Sequence, residues 1–98
     1  MCGIAAYSGK SVNILKAMHL LEDNDSRGGH STGIYVENGT FRKLYKTVGT
    51  SKGLLRSIDH NKTSLFVGHT RYGTHGVKTA ENTHPYAIGM YIGCHNGV

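Results

Sequence analysis

The chain has 98 residues, of which 38% are hydrophobic and 17% charged, with fourteen glycines and a single proline. These values are typical of one small globular domain or of part of a larger one, and no apolar run approaches the length of a membrane span. The formal net charge is +5, but the lysines and arginines are scattered, which favours a solvated basic surface over a nucleic-acid face.

The first part of the chain predicts a strand, a helix and a hairpin. The apolar run "CGIAAYSG" indicates a buried strand that ends at Ser8-Gly9. Apolar residues at helical spacing in "SVNILKAMHLLEDND" then predict a helix with Ser11 as its N-cap. Two strand-like runs flank Asn38-Gly39 in "STGIYVENGTFRKLYK", and this pair is favoured in a type I′ hairpin turn.

The second part predicts a short helix and two strands. The helix is expected within "TSKGLLRSIDHN", and the strands in "SLFVGHTR" and "YAIGMYIGCHNG". Both strands end in polar residues, where a rigid sheet commonly positions functional groups. The mixture of helices and an antiparallel hairpin predicts an α+β fold.

The cysteines and histidines predict neither a disulfide framework nor a metal site. The N-terminus has no basic region and only a short apolar run, so no secretion signal is apparent and we expect a cytoplasmic protein with free thiols. The seven histidines include no H-x-x-x-H pair, and no C-x-x-C pair occurs. We expect no cofactor and no metal.

Cys2 is a candidate nucleophile because of its position. A thiol attacks a carbonyl carbon only after a base removes its proton. If Met1 is removed, the α-amino group of Cys2 itself becomes available as that base, and its ordinary pKa lies near neutrality. The alternative is a small buried apolar residue, which a single cysteine often is.

Three further groups of residues could take part in acyl transfer, and each also has a simpler structural explanation. Asn96 and Gly97 offer a side-chain and a backbone donor for an oxyanion, or form an ordinary Asn-Gly turn. Arg71 offers two parallel hydrogen bonds to a carboxylate, or forms a salt bridge in a surface loop. Thr74 and His75 add polar contacts near Arg71.

Five motifs, in order, resemble the glutaminase domain of class II glutamine amidotransferases, which are N-terminal nucleophile hydrolases. The motifs are "CGI", "RGGHSTGI", "GHTRYGTHG", "NTHPY" and "HNG", and together they span residues 2–97. The resemblance implies a four-layer αββα sandwich, with residues 1–98 forming the N-terminal half of the domain. It implies glutamine as the substrate. The scattered basic residues and the lack of a long apolar run predict no nucleic-acid and no membrane partner.

The resemblance also implies a role for each site residue. Cys2 would be the nucleophile, and Asn96 with Gly97 would form the oxyanion hole. Substrate binding would fall to Arg71, Tyr72, Thr74 and His75. Arg27 and His84 would support the site structurally.

The chain departs from the family pattern at several positions. Tyr72 stands where tryptophan is usual, His30 where aspartate is usual, and Tyr86 where histidine is usual. Family domains are about twice as long, so we expect a truncated domain without the aspartate that binds the substrate's amino group. If Met1 stays attached, the nitrogen of Cys2 is an amide without a basic lone pair, and the chain should be inert.

Three functions follow as hypotheses. The first is glutaminase activity, releasing glutamate and ammonia through a thioester on Cys2. The second is a catalytically inactive relative that acts as a binding protein, as a homo-oligomer or completed by another chain, since an open sheet edge pairs readily with a partner strand. The third is an amidohydrolase of the same superfamily that cleaves a different amide.

Overall fold

The computed structural model describes residues 2–24, 29–39, 41–58, 62–72, 83–89 and 91–94. Within these ranges two helices and six strands are formed. In chain order they are β1 Gly3–Asn13, α1 Ile14–Glu22, β2 Ser31–Glu37, β3 Arg42–Val48, α2 Ser51–Leu55, β4 Lys62–Arg71, β5 Tyr86–Ile88 and β6 Tyr91–Gly93. The α+β class predicted from the sequence is confirmed.

Four strands form one antiparallel sheet in the order β1-β4-β2-β3. β4 lies between β1 and β2 and pairs with both, with Gly3 opposite Thr70 on one side and Ser31 opposite Arg71 on the other. β2 and β3 form the predicted hairpin. β5 and β6 form a separate two-stranded sheet.

The hydrophobic core lies between one face of the four-stranded sheet and the two helices. Alternate residues of a strand point to the same face, and those of β2 and β4 that enter the core, Ile34, Val36 and Phe66, are fully buried. The buried stripe of α1 packs against them. It includes Met18 and Leu21, as the helical spacing predicted, whereas Leu15 is 52% exposed. The helical members of this core are Ile14, Ala17, Met18, Leu21 and Leu54.

The first strand is longer than predicted, and the helix cap differs accordingly. β1 continues past Ser8-Gly9, with an irregularity in its pairing between Ser8 and Val12, and it ends at Asn13. The predicted N-cap Ser11 therefore lies inside the strand. Asn13 caps α1 instead, since its side-chain oxygen accepts a hydrogen bond of 2.8 Å from the Leu15 N–H.

The hairpin turn is also different from the predicted type I′ turn. That turn needs positive φ at both central residues, whereas glycines alone have positive φ among the residues described. The Asn38 N–H donates to the Phe41 carbonyl at 3.1 Å, and the Phe41 N–H donates to the Asn38 side chain at 3.2 Å. Asn38 therefore flanks the turn, and Gly39 with φ +90° lies within it.

The predicted last strand is divided in two. Tyr86–Ile88 and Tyr91–Gly93 pair antiparallel with each other, and Gly89 adopts φ +60° between them. The short helix was predicted correctly and runs from Ser51 to Leu55. Among the described residues, neither helix has the length and apolar character needed to cross a membrane.

Two adjacent leucines of α1 provide a matched test of this packing. Leu21 is fully buried, whereas Leu20 is 47% exposed. We expect Leu21→Ala to lower the free energy of unfolding by about 2–5 kcal/mol, because it leaves a cavity against the sheet. Leu20→Ala should cost about 1 kcal/mol or less. Urea unfolding of both variants measures the difference, and equal losses would contradict this core.

Candidate functional site

The ends of three strands bring Cys2, Arg71 and Tyr72 together at one end of the sheet. Because β4 runs antiparallel to both β1 and β2, the last residues of β4 lie beside the first residues of its two neighbours. Cys2 directly precedes β1, and His30 directly precedes β2. These two residues therefore lie on either side of Arg71 and Tyr72.

Cys2 is held against the backbone of Tyr72. The Tyr72 N–H donates a hydrogen bond to the Cys2 sulfur at 3.5 Å, and the thiol lies 4.0 Å from the Tyr72 carbonyl oxygen. Only 5% of Cys2 is exposed. The side chain of the candidate nucleophile is thus buried, and a backbone peptide group orients its sulfur.

Arg71 is the last residue of β4 and is half-buried. Alternation along β4 places its side chain on the sheet face opposite the helices, because Thr70 pairs with Gly3 and Thr32 on the helix side. Its carbonyl accepts a hydrogen bond of 3.0 Å from the His30 N–H. The structure therefore brings a thiol and a guanidinium-bearing residue together from positions 69 residues apart in sequence.

Five predicted residues lie outside the described part of the chain. They are Arg27, Thr74, His75, Asn96 and Gly97. Their assignments remain predictions. Of the residues predicted to bind substrate, the structure describes Arg71 and Tyr72, and Tyr72 is 47% exposed beside Cys2.

His84 packs onto the face of the sheet opposite the helices. Its ring stacks on His69 of β4 with centroids 4.4 Å apart, and the Tyr86 ring packs against it with centroids 4.5 Å apart. Thr83 and His69 are fully buried, and His84 is 9% exposed. The segment from Thr83 to Tyr86 is thus anchored on β4, which brings the chain that follows it close to the sheet.

Gly33 permits this approach. A β-carbon at position 33 would lie 2.0 Å from the carbonyl oxygen of His84, so only glycine leaves room for the segment to pack on β2. This explains one glycine of the "RGGHSTGI" motif in terms of space rather than backbone conformation.

No role for His30 was predicted from the sequence, although its ring packs on Tyr72 beside the candidate nucleophile. The two ring centroids are 4.6 Å apart with an interplanar angle of 27°. A histidine next to a strand and a tyrosine 42 positions later carry no signal of contact by themselves. Pairing of β2 with β4 is what reveals it.

A cavity of about 650 Å³ lies on the same sheet face, away from Cys2. Among its lining residues are Tyr35, Leu65 and Tyr91. The Tyr35 hydroxyl donates to the Glu37 carboxylate, and burial together with that carboxylate raises the pKa of Tyr35 above its usual range. Cys2, Arg71 and Tyr72 are not among the described residues that line this cavity.

Comparison with known proteins identifies similar sequences. No family model matches the chain. It is 40% identical over 101 residues to glutamine–fructose-6-phosphate aminotransferase (isomerizing) of Streptococcus pyogenes, 38% over 102 residues to that of Staphylococcus epidermidis, and 36% over 101 residues to that of Shouchella clausii. Each match covers all of this chain and 17% of the relative. The chain thus spans about a sixth of the length of these curated relatives.

The close approach at Gly33 generates a test. We expect Gly33→Ala to lower the free energy of unfolding by about 1–3 kcal/mol, because the new methyl group displaces the His84 backbone. Gly53→Ala in α2 is the control, since nothing lies within 4 Å of its added carbon and alanine favours a helix by about 0.5–1 kcal/mol. Urea unfolding distinguishes them, and an unchanged Gly33→Ala protein would contradict the approach.

The burial of Cys94 leads to a prediction about the pH dependence of its alkylation. Burial raises the pKa of the Cys94 thiol above its ordinary value. We therefore expect iodoacetamide to alkylate Cys94 in the folded chain with a rate that rises at higher pH than in the urea-unfolded chain. Peptide mass spectrometry at a series of pH values measures both rates. Identical pH profiles in the two states would show that folding does not desolvate this thiol.

Proposed function

Since the chain is related along its whole length to the N-terminal part of glutamine–fructose-6-phosphate aminotransferases, as its motifs predicted, we propose that it is a glutaminase of the class II glutamine amidotransferase type. The observation that carries the proposal is the placement of Cys2. Its buried sulfur lies against Tyr72, directly beyond Arg71, at one end of the sheet.

The proposed reaction begins at Cys2. The α-amino group, freed by removal of Met1, takes the thiol proton, and the sulfur attacks the side-chain carbonyl carbon of glutamine. The carbon–nitrogen bond then breaks, and the amine returns the proton to the departing ammonia. Water hydrolyses the resulting γ-glutamyl thioester to glutamate and regenerates the thiol. These steps are complete without a metal or an organic cofactor.

Arg71 is proposed to orient the substrate. A guanidinium binds a carboxylate through two parallel hydrogen bonds, and the α-carboxylate of glutamine is the group available for it. The half-buried position of Arg71 at the end of β4, next to Cys2, supports this role. Tyr72, Thr74 and His75 complete the proposed substrate contacts.

Asn96 and Gly97 are proposed to stabilise the oxyanion of the tetrahedral intermediate. One well-placed donor typically contributes about 3–4 kcal/mol to the transition state. Support comes from the preceding segment, which the His84–His69 stack anchors on the sheet face that also carries Arg71.

A proposal about the layers of the fold concerns the sheet face opposite the helices. We propose that residues 1–98 belong to one amidotransferase domain and that this face packs on a second sheet, giving the four layers αββα. Its apolar residues Leu65 and Val67 support this, because they line an open cavity rather than a filled core.

A binding role is the second candidate. On edge strand β1, Ile4 is 42% exposed on the sheet face opposite the helices, since its neighbour Ala5 packs against the helix-side core. On helix α1, Leu15 is 52% and Leu20 47% exposed. An edge strand with apolar neighbours is a surface that a partner strand or a second copy can cover. This role requires no turnover.

Ammonia release by protein with a free Cys2 terminus decides between the two. We expect Cys2→Ala to abolish glutamine-dependent ammonia release, because the nucleophile is lost, whereas Cys94→Ala should retain it. Intact mass spectrometry confirms Met1 removal and shows whether a glutamine-like alkylating reagent adds to one thiol. Equal ammonia release from the Cys2→Ala variant and the unchanged chain would refute the mechanism, and no release from either favours the binding role.

A further inference from the structure

The peptide group between Arg71 and Tyr72 is bound at both of its polar ends. Its carbonyl oxygen accepts a hydrogen bond of 3.0 Å from the His30 N–H. Its N–H, that of Tyr72, donates to the Cys2 sulfur at 3.5 Å. One peptide unit therefore connects the start of β2 with the candidate nucleophile.

This peptide lies where the sheet stops restraining the chain. Arg71 is the last residue of β4, and Tyr72 follows it with no strand partner in the described register. Nearly half of Tyr72 is exposed, so the core does not fix its side chain. A further restraint is needed to keep its N–H directed at the sulfur.

The His30 ring supplies such a restraint. It stacks on the Tyr72 ring with centroids 4.6 Å apart and a tilt of 27°, within the geometry that aromatic pairs favour. His30 itself is fixed by its own backbone hydrogen bond to Arg71 and by β2, which it directly precedes. The ring contact thus restrains the Tyr72 side chain against a residue that the sheet holds in place.

We propose that His30 is a positioning residue for Cys2, acting through Tyr72. Its ring holds Tyr72 so that the Tyr72 N–H orients the sulfur for attack. The catalytic consequence rests on the proposed function, since orientation of the sulfur matters to the rate only if Cys2 attacks an amide.

Side-chain variants of His30 separate the ring from the backbone. Every such variant except proline keeps the N–H that donates to Arg71, so the docking of Arg71 is preserved. His30→Ala removes the ring contact, and His30→Phe keeps an aromatic ring in its place. His19→Ala is the matched control, because the His19 side chain is 73% exposed on α1.

The first measurement is hydrogen exchange of the Tyr72 amide by NMR, which needs no turnover. We expect His30→Ala to speed this exchange by about three- to tenfold, the factor that loss of an aromatic pair corresponds to. His30→Phe and His19→Ala should stay within about twofold of the unchanged chain. Unchanged Tyr72 exchange in His30→Ala, or faster exchange across all of β1, β2 and β4, would overturn the proposal.

The second measurement is the kinetics of glutamine hydrolysis by Met1-free protein. We expect His30→Ala to lower kcat by about three- to tenfold with little change in KM, and His30→Phe to restore kcat. A rise in KM at constant kcat, or failure of phenylalanine to restore the rate, would contradict positioning through the ring. If the unchanged chain releases no ammonia, the proposed function fails, while the exchange measurement still decides whether His30 holds Tyr72 at Cys2.

Discussion

The structure depends on the two-sided antiparallel pairing of β4. Because β4 is paired with β1 on one side and β2 on the other, its last residues meet the first residues of both neighbours. The register of this pairing determines which face each side chain occupies, since a slip by one residue would turn Arg71 to the opposite face of the sheet. The thiol of Cys2, the Arg71–Tyr72 peptide and the ring of His30 are neighbours for this reason alone.

The same strand anchors the chain on its second face. His69 is fully buried in β4, and the His84 ring stacks on it, while Gly33 of β2 leaves the space that the His84 backbone fills. β2 is consequently buried on both faces, with helices on one side and the Thr83–Tyr86 segment on the other. Polar residues of these strands, such as His69, therefore anchor a neighbouring segment in addition to lying near the candidate site.

The arrangement around Cys2 restricts the position of its sulfur relative to Arg71. Cys2 is 5% exposed and its sulfur accepts from a backbone N–H, so its side chain has few orientations available. A guanidinium-bearing residue at the adjacent strand end offers a fixed point for a carboxylate, at a distance set by the sheet rather than by a mobile loop. The candidate nucleophile Cys2 and the proposed substrate-binding residue Arg71 are thus positioned by the ends of paired strands.

Local pattern alone determined much of the fold. The spacing of apolar residues predicted α1, the apolar runs predicted β1 and β4, and Asn38-Gly39 predicted the hairpin between β2 and β3. The errors occurred where two local signals competed. Ser11 and Asn13 are both good caps, and only pairing of Val12 with Thr63 keeps Ser11 in the strand. Likewise the apolar run from Tyr86 contains Gly89, whose positive φ folds it into a hairpin.

By itself, the sequence predicted the candidate site residues, because Cys2, Arg71 and the polar motifs are visible as residue types at strand ends. It also indicated the resemblance to class II glutamine amidotransferases, through motifs whose order is preserved along the chain. Only the tertiary structure decided which of these residues meet. The contact of His30 with Tyr72 and that of His69 with His84 depend on strand register and on the space at Gly33, which are properties of paired strands and not of any single segment.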